Sequence, residues 1–168
     1  MAHALHEIAP VYDCHSCVLI LGSFPSVKSR EAGFFYHHPQ NRFWKVLAAV
    51  TEQETPRTIP EKREFLLKNR IAVWDVIASC EIQGSSDSSI KDVIPNKLDK
   101  ILDTARIRQI YTNGGTAFRL YQKYLYPVTG REAIRLPSTS PANAACSLEA
   151  LTEQWSVIGA VLKEKDCR

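Results

Sequence analysis

The chain has 168 residues, a length that predicts one domain over residues 1–168. Hydrophobic residues make up 45% of it, enough to bury a proper core, and no repeat, linker or low-complexity segment interrupts it. The formal net charge of +3 is compatible with a nucleic-acid partner but is too small to predict one by itself.

Five cysteines are scattered along the chain: Cys14, Cys17, Cys80, Cys146 and Cys167. Their odd number, with no signal peptide and no long apolar run, predicts a reduced, cytoplasmic protein without a membrane partner. The CxxC pair at Cys14 and Cys17 suggests half of a zinc site or a redox pair, but the other three cysteines do not supply a second pair. We therefore expect no metal and interpret the pair as incidental cysteines beside a strand.

In chain order, a lead over residues 1–14 is expected to drape over the fold. Four apolar runs then predict buried strands at residues 18–21, 71–76, 107–112 and 133–136. The small-residue segment 84–89, GSSDSS, predicts a flexible polar loop, with a contact to a nucleic-acid backbone as the alternative.

Helices are predicted between the strands from apolar residues at helical spacing and from capping residues. They are a helix over residues 39–50, one with Pro60 in its first turn, one capped by Asn96, one carrying Phe118, Tyr121 and Leu125, and one capped by Ser147 with an apolar stripe from Leu148 to Leu162. Strands that alternate with helices indicate a parallel sheet covered by helices.

The stretch after the first strand is unusual for a surface loop. A Gly/Pro/Ser loop over residues 22–26 is followed, within residues 34–44, by five aromatic residues, two histidines, Asn41 and Arg42. Aromatic rings stack on flat ligands, arginine holds phosphate, and an asparagine amide can orient a water or a base edge. Because open α/β sheets bind ligands at the carboxyl ends of their strands, we expect a binding site here.

Two segments resemble the motifs of a known family. Residues 38–44, HPQNRFW, resemble motif 1 of the uracil-DNA glycosylase superfamily in its mismatch-specific and hypoxanthine branches, and residues 136–143, LPSTSPAN, resemble motif 2. The resemblance covers residues 18–155 and is closest to the hypoxanthine-DNA glycosylase branch, family 6.

This resemblance implies an α/β fold, a three-layer α/β/α sandwich with a four-stranded parallel sheet. It also implies a monofunctional, monomeric DNA glycosylase that flips a deaminated base out of DNA and hydrolyses its N-glycosidic bond. The implied substrate is hypoxanthine in deoxyinosine, and no metal or organic cofactor is required.

Motif 1 departs from the pattern of the strong uracil enzymes. Those enzymes carry Asp or Asn two residues after the loop glycine, where it positions or activates water, whereas this chain has Phe24. The hypoxanthine branch has the same gap, and the resemblance assigns catalysis to Asn41, whose carbonyl oxygen could orient water. The alternative is that Asn41 only caps the following helix. Phe24 then becomes a candidate stacking face, with Ser23 and Tyr36 as further base contacts.

Asp75 ends the second apolar run, where the superfamily places the residue that reads the base edge. Hypoxanthine presents N1–H as a donor beside O6, and a carboxylate accepts N1–H well, whereas the bare N1 of adenine would be repelled. Uracil also presents an N–H, so Asp75 does not exclude it. The alternative is an acid that caps a turn at the end of a strand.

Motif 2 departs as well, because Leu136 stands where uracil enzymes have His or Asn. The residues expected to contact DNA phosphate are Ser26, Arg42, Ser138, Thr139 and Ser140. A rigid Pro/Ser turn is the alternative for the motif 2 segment.

Three competing functions remain open from the sequence. The first is the same reaction with uracil as substrate, and the second is a non-catalytic nucleic-acid-binding relative in which Phe24 and Leu136 record lost catalysis. The third, a hydrolase of free nucleosides, is disfavoured because the sequence lacks the acids of a metal site.

Overall fold

The structure is a computed structural model that describes residues 2–164 and Cys167. Its strands are β1 (Ala2–Leu5), β2 (Val18–Gly22), β3 (Ile71–Asp75), β4 (Ile77–Ile82), β5 (Lys91–Pro95), β6 (Gln109–Asn113) and β7 (Ala133–Leu136). Its helices are α1 (Val27–Ala32), α2 (Phe43–Thr51), α3 (Ile59–Lys68), α4 (Asp99–Thr104), α5 (Gly115–Leu120), α6 (Tyr126–Thr129) and α7 (Leu148–Leu162). A 3-10 turn spans Asp87–Ser89, and a π-helical turn over Tyr121–Leu125 joins α5 to α6.

The central sheet has four parallel strands in the order β3-β2-β6-β7. These are the four strands predicted from the apolar runs, each confirmed to within two residues at either end. All four strands point their carboxyl ends at the same edge, so the loops after β2, β3, β6 and β7 meet there.

Each face of the sheet carries its own apolar core, as the alternation along β2 shows. Val18 and Ile20 face one cluster, which includes apolar residues of α2, α3 and α7, while Leu19 and Leu21 face a second cluster with residues of β4, α4 and α5. Period-two alternation with both faces buried is what a central parallel strand requires. The predicted three-layer α/β/α arrangement is therefore confirmed.

A second, antiparallel sheet of order β1-β4-β5 was not predicted. Only Val76 separates β3 from β4, so one apolar run supplies two strands in two sheets. The backbone N–H of Val76 donates to the carbonyl of Gly22 at 2.8 Å, and that of Ile77 donates to Ser23 at 3.1 Å. The chain thus crosses the end of β2 as it changes sheets, and the lead segment is anchored through β1 rather than draped over the fold.

Two helix predictions need correction. The helix expected over residues 39–50 begins at Phe43, because the chain before it turns through Tyr36, whose φ is +49°. Asn96 does not cap α4: its side-chain amide donates to the carbonyls of Asp75 at 2.9 Å and Ile77 at 3.1 Å. Asn96 therefore holds the β3–β4 junction. The Ser147 cap on α7 is confirmed by its hydrogen bond from the Ala150 N–H at 3.1 Å.

The cysteines are not all reduced, contrary to the sequence-based expectation. Cys17 and Cys167 form a disulfide whose Cα atoms are 5.6 Å apart, while Cys14 is free and exposed. The bond links the start of β2 to a residue beyond α7. Among the helices of the described residues, none is long and apolar enough to cross a membrane.

Candidate active site

A cavity of about 290 Å³ opens at the carboxyl edge of the parallel sheet. This is near the lower end of the range for ligand pockets, about 300 Å³, and suits a single small, flat ligand. Its walls combine the loop after β2 (residues 22–26), the end of β3, motif 2 over residues 138–142, and side chains from motif 1. The structure thus brings both motifs and Asp75 to one site, as predicted.

A buried carboxylate, Asp75, forms one wall of the cavity, and sequence reasoning missed its partner. The Nε2 atom of His6 lies 2.8 Å from Asp75 Oδ2, and both side chains are almost fully buried. His6 Nδ1 accepts the backbone N–H of Ile8 at 3.3 Å, so Nε2 carries the proton and donates it to Asp75. His6 thereby fixes the orientation of the carboxylate and leaves Oδ1 available.

Tyr36 brings a hydroxyl to the same wall. Its ring stacks on Phe43 with centroids 3.9 Å apart, and its left-handed backbone conformation is uncommon for a residue with a side chain. The hydroxyl is buried and has no hydrogen-bond partner of normal geometry within the described chain, although the Asn113 amide is close. Burial, and then the negative charge of Asp75, raise the pKa of Tyr36, so the hydroxyl remains a donor.

Gly22, at the end of β2, provides the space in which these groups meet. A Cβ atom at this position would lie 2.4 Å from Asp75 Oδ1 and 2.9 Å from the Tyr36 hydroxyl. Only glycine leaves room for the two polar atoms beside the strand end.

Asn41 lies at the cavity with its amide held in one orientation. Its Oδ1 accepts the backbone N–H of Phe43 at 3.0 Å and the hydroxyl of Thr139 at 2.8 Å. Both acceptor positions of the carbonyl oxygen are therefore filled, and the suggested water contact through that oxygen is wrong. The capping alternative accounts for the Phe43 bond, while Nδ2 has no partner in the described part of the chain and remains available to a ligand.

Thr139 is fully buried, which corrects its predicted contact with phosphate. Its Oγ1 accepts from Asn113 Nδ2 at 3.0 Å, and its backbone N–H donates to Asn113 Oδ1 at 3.0 Å. A chain of hydrogen bonds therefore runs from β6 through motif 2 to Asn41. Leu136 is likewise a buried core residue.

Arg42 also has a role other than the predicted phosphate contact. Its guanidinium donates to the carbonyls of Ser140 at 3.1 Å, Asn143 at 3.0 Å and Cys146. Three bonds to one loop identify Arg42 as the residue that shapes motif 2. Ser138 and Ser140 are half-buried at the cavity, where each hydroxyl accepts a backbone N–H two residues further on.

Two tryptophans tie the motifs to the helical layer. Trp44 Nε1 donates to the carbonyl of Tyr36 at 3.1 Å, and Trp155 Nε1 donates to that of Pro137 at 2.9 Å. Both rings are buried, so these aromatic residues anchor the loops to α2 and α7.

The loop after β2 places the remaining predicted residues at the cavity. Phe24 is buried, its ring nearly perpendicular to that of His6 at 6.1 Å between ring centroids, and the Arg30 guanidinium is 5.3 Å from its ring centre. Ser26 was predicted to contact phosphate, whereas its hydroxyl caps α1 by accepting the Ser29 N–H at 3.2 Å. Phe24 as a stacking face stays a prediction.

A second carboxylate, Asp87, was also missed by sequence reasoning. Ser23 donates its hydroxyl proton to Asp87 Oδ1 at 3.0 Å, so that proton is not free for the predicted base contact. Asp87 lies within the segment predicted to be a flexible polar loop. A single aspartate among serines does not indicate a hydrogen bond to a residue elsewhere in the chain. Within the described residues, no cluster of three or more His, Cys, Asp or Glu side chains could hold a metal ion.

The fold and cavity define an α/β/α protein with a small pocket at the carboxyl ends of parallel strands. Comparisons identify the class. Residues 9–158 match the model of the uracil DNA glycosylase superfamily. The chain belongs to this superfamily, and its activity class is that of a DNA glycosylase.

Individual relatives agree with this assignment. A hypoxanthine DNA glycosylase of Methanosarcina barkeri is 31% identical over 88% of this chain and 92% of its own. One of Methanosarcina acetivorans is 33% identical over 88% and 93%. The solution NMR structure of a candidate uracil DNA glycosylase from Methanosarcina acetivorans has a TM-score of 0.80 and 30% identity, covering 94% of this chain and 97% of that one.

Proposed function

We propose that this chain removes hypoxanthine from deoxyinosine in DNA as a monofunctional glycosylase that leaves an abasic site. The observation that carries the proposal is the pair of polar groups beside Gly22, the oriented carboxylate of Asp75 and the protonated hydroxyl of Tyr36. They offer one acceptor and one donor to a single ligand edge.

Hypoxanthine has the complementary edge, with N1–H as a donor beside O6 as an acceptor. Asp75 Oδ1 would accept N1–H, and the Tyr36 hydroxyl would donate to O6. Adenine presents the reverse pattern, an acceptor at N1 and an amino group at C6, so it would leave both protein groups unpaired in a buried site. This distinction is needed because adenine is the parent base from which hypoxanthine arises by deamination.

The rest of the cavity supports excision of a flipped nucleotide. Phe24 offers an aromatic wall for the extruded base, and the free Nδ2 of Asn41 can donate to the sugar, the base or a water. Ser138 and Ser140 lie at the opening, where DNA phosphate would pass. The two relatives named hypoxanthine DNA glycosylases add to this support.

The test is base release and alkali-sensitive strand cutting on labelled duplexes that carry one deoxyinosine, deoxyuridine or deoxyxanthosine. Unmodified duplex is the essential control, because guanine shares the N1–H and O6 edge and must be left intact. We expect cutting at deoxyinosine. Cutting at deoxyuridine alone would support a DNA glycosylase reaction but contradict hypoxanthine as the base released.

Three variants connect this activity to the site. Asp75→Asn keeps the volume but turns an amide N–H₂ toward N1–H, and Tyr36→Phe removes the donor to O6. We expect losses of about 10- to 100-fold for each, as for a hydrogen bond to a charged or buried group. Asn41→Ala should abolish turnover and retain DNA binding, whereas a non-catalytic relative would bind DNA with no turnover to lose.

A further inference from the structure

Hydrolysis of an N-glycosidic bond needs a group that accepts a proton from the attacking water. Phe24 occupies the position of the usual acid and cannot accept a proton. Asn41 cannot serve either, because Phe43 N–H and the Thr139 hydroxyl fill both acceptor positions of its Oδ1. The acceptor must come from another side chain of the cavity.

Two carboxylates, Asp75 and Asp87, line the cavity. Asp75 accepts His6 through Oδ2 and places Oδ1 beside Tyr36, the position that reads the base edge. Asp87 is held through one oxygen only, by the hydroxyl of Ser23 at 3.0 Å, and Oδ2 has no partner in the described part of the chain. Because Oδ1 of Asp75 is assigned to the base edge, Oδ2 of Asp87 is the carboxylate oxygen left for water.

The Asp87 loop, residues 84–89, is docked on the loop after β2 and on α1. The Val27 N–H donates to Ser85 Oγ at 2.8 Å, and Arg30 Nη2 donates to the carbonyl of Gly84 at 2.6 Å. Together with the Ser23 bond, these contacts bring Asp87 next to the residue that precedes Phe24. A carboxylate that motif 1 lacks is thus supplied to the same cavity by another loop.

The surroundings suit a general base. Asp87 is an exposed residue, but partial burial of its carboxyl group at the cavity raises its pKa above the ordinary value for aspartate. The Ser23 hydrogen bond lowers the pKa, the charge of Asp75 raises it, and Arg119 lowers it. A carboxylate with a raised pKa accepts a proton from water more readily than an ordinary one.

We propose that Asp87 is the general base of this enzyme, an inference that rests on the proposed function of the same site. The bond between C1′ and N9 breaks, and its electron pair leaves with the base. The water oxygen bonds to C1′ while one water proton moves to Asp87 Oδ2. That proton then passes to the departed hypoxanthine anion, which restores the carboxylate.

The test is the single-turnover rate of base release with enzyme in excess over the deoxyinosine duplex. Asp87→Asn keeps the Ser23 hydrogen bond and removes the basic oxygen, and we expect a loss of about 100- to 1,000-fold, within the range for general-base catalysis. Affinity for a duplex with a tetrahydrofuran abasic analogue should remain within a few fold. Asp92→Asn is the matched control, since Asp92 is an exposed acid of β5 outside the cavity, and it should keep the wild-type rate.

The pH profile separates a base from a structural acid. The base acts deprotonated, so the wild-type rate should fall as pH drops through the pKa of Asp87, and this acid limb should be absent in Asp87→Asn. Asp75, Arg119, Tyr36 and Cys80 interact electrostatically with Asp87, and Arg30 binds the same loop through the Gly84 carbonyl. All five remain in the variant, so only the limb that belongs to Asp87 is removed.

Ser23→Ala is a second, independent test of the role of Asp87, and it can be used even if Asp87→Asn fails to fold. The Ser23 hydrogen bond lowers the pKa of Asp87, so its loss should raise that pKa and move the acid limb of the rate profile to higher pH. A wild-type rate in Asp87→Asn, or an unmoved limb in Ser23→Ala, overturns the role of Asp87 and leaves hypoxanthine excision standing. If the wild type releases only uracil, the proposed substrate fails, and the same variants test Asp87 on the uracil duplex.

Discussion

The hydroxyl of Thr139 donates a 2.8 Å hydrogen bond to Oδ1 of Asn41, across 98 residues of sequence. This bond joins motif 2 to motif 1 and decides which end of the Asn41 amide a ligand meets. The two motifs therefore form one hydrogen-bonded unit, in which a change in one alters the chemistry offered by the other.

Thr139→Val tests this unit, because it keeps the shape and removes the hydroxyl. We expect about 10-fold slower base release and a loss of roughly 1–2 kcal/mol in the free energy of unfolding, as for a buried hydrogen bond left unmade. Single-turnover rates and urea unfolding measure the two effects. Thr139→Ser keeps the hydroxyl and should stay close to wild type; equal losses in both variants would contradict the assignment.

His6→Phe tests the support of Asp75. Without the Nε2–H donor a buried carboxylate is left unpaired, and we expect a stability loss on the order of 3 kcal/mol together with slower hypoxanthine release. His6→Gln can still donate and should recover most of both. His3→Ala, at an exposed position of β1 three residues before His6, serves as the control. Denaturant unfolding and excision assays would reject the idea if His6→Phe behaved like His3→Ala.

Gly22→Ala should damage the site more than the fold. The new Cβ would displace Asp75 Oδ1 or the Tyr36 hydroxyl, and we expect at least 10-fold slower hypoxanthine release with a stability cost of about 1–3 kcal/mol, typical of overpacking. Gly159→Ala, within α7 and away from the cavity, is the matched control and should leave base release unchanged. Normal release by Gly22→Ala would show that the close approach at the strand end is dispensable.

The Cys17–Cys167 disulfide predicts a redox-dependent stability. It closes a loop with a sequence separation of 150, and removal of such a bond typically costs about 2–4 kcal/mol. Dithiothreitol should lower the urea midpoint of the wild type and leave that of Cys167→Ser unchanged. Base release should not change, since neither cysteine lines the cavity. A midpoint insensitive to reductant would mean that the bond does not form in solution.

The sequence predicted the central sheet well because period-two and continuous apolar runs report burial directly. It could not predict the second sheet, because one apolar run supplies both β3 and β4 and the chain changes sheets at Val76. The motifs located the cavity, which residues of both motifs line.

The roles within the site were harder to predict. Arg42 and Thr139 looked like DNA contacts because their residue types suit phosphate, yet their donors are used by backbone carbonyls and by Asn41. His6 and Asp87 were missed because each acts through a partner far along the chain, at separations of 69 and 64 residues. Such partnerships depend on tertiary packing and have no local pattern.

The bonds of Arg42 to the motif 2 loop have a consequence for how the protein is made. Motif 1 leaves the ribosome about 100 residues before its partners, since Arg42 and Cys146 are separated by 104 positions. Contacts this distant in sequence form late, because closure of the long loop must come first. A nascent chain can therefore form α2 and pair β2 with β3 before Thr139 is present to hold Asn41, and the site is completed only after motif 2 has been made.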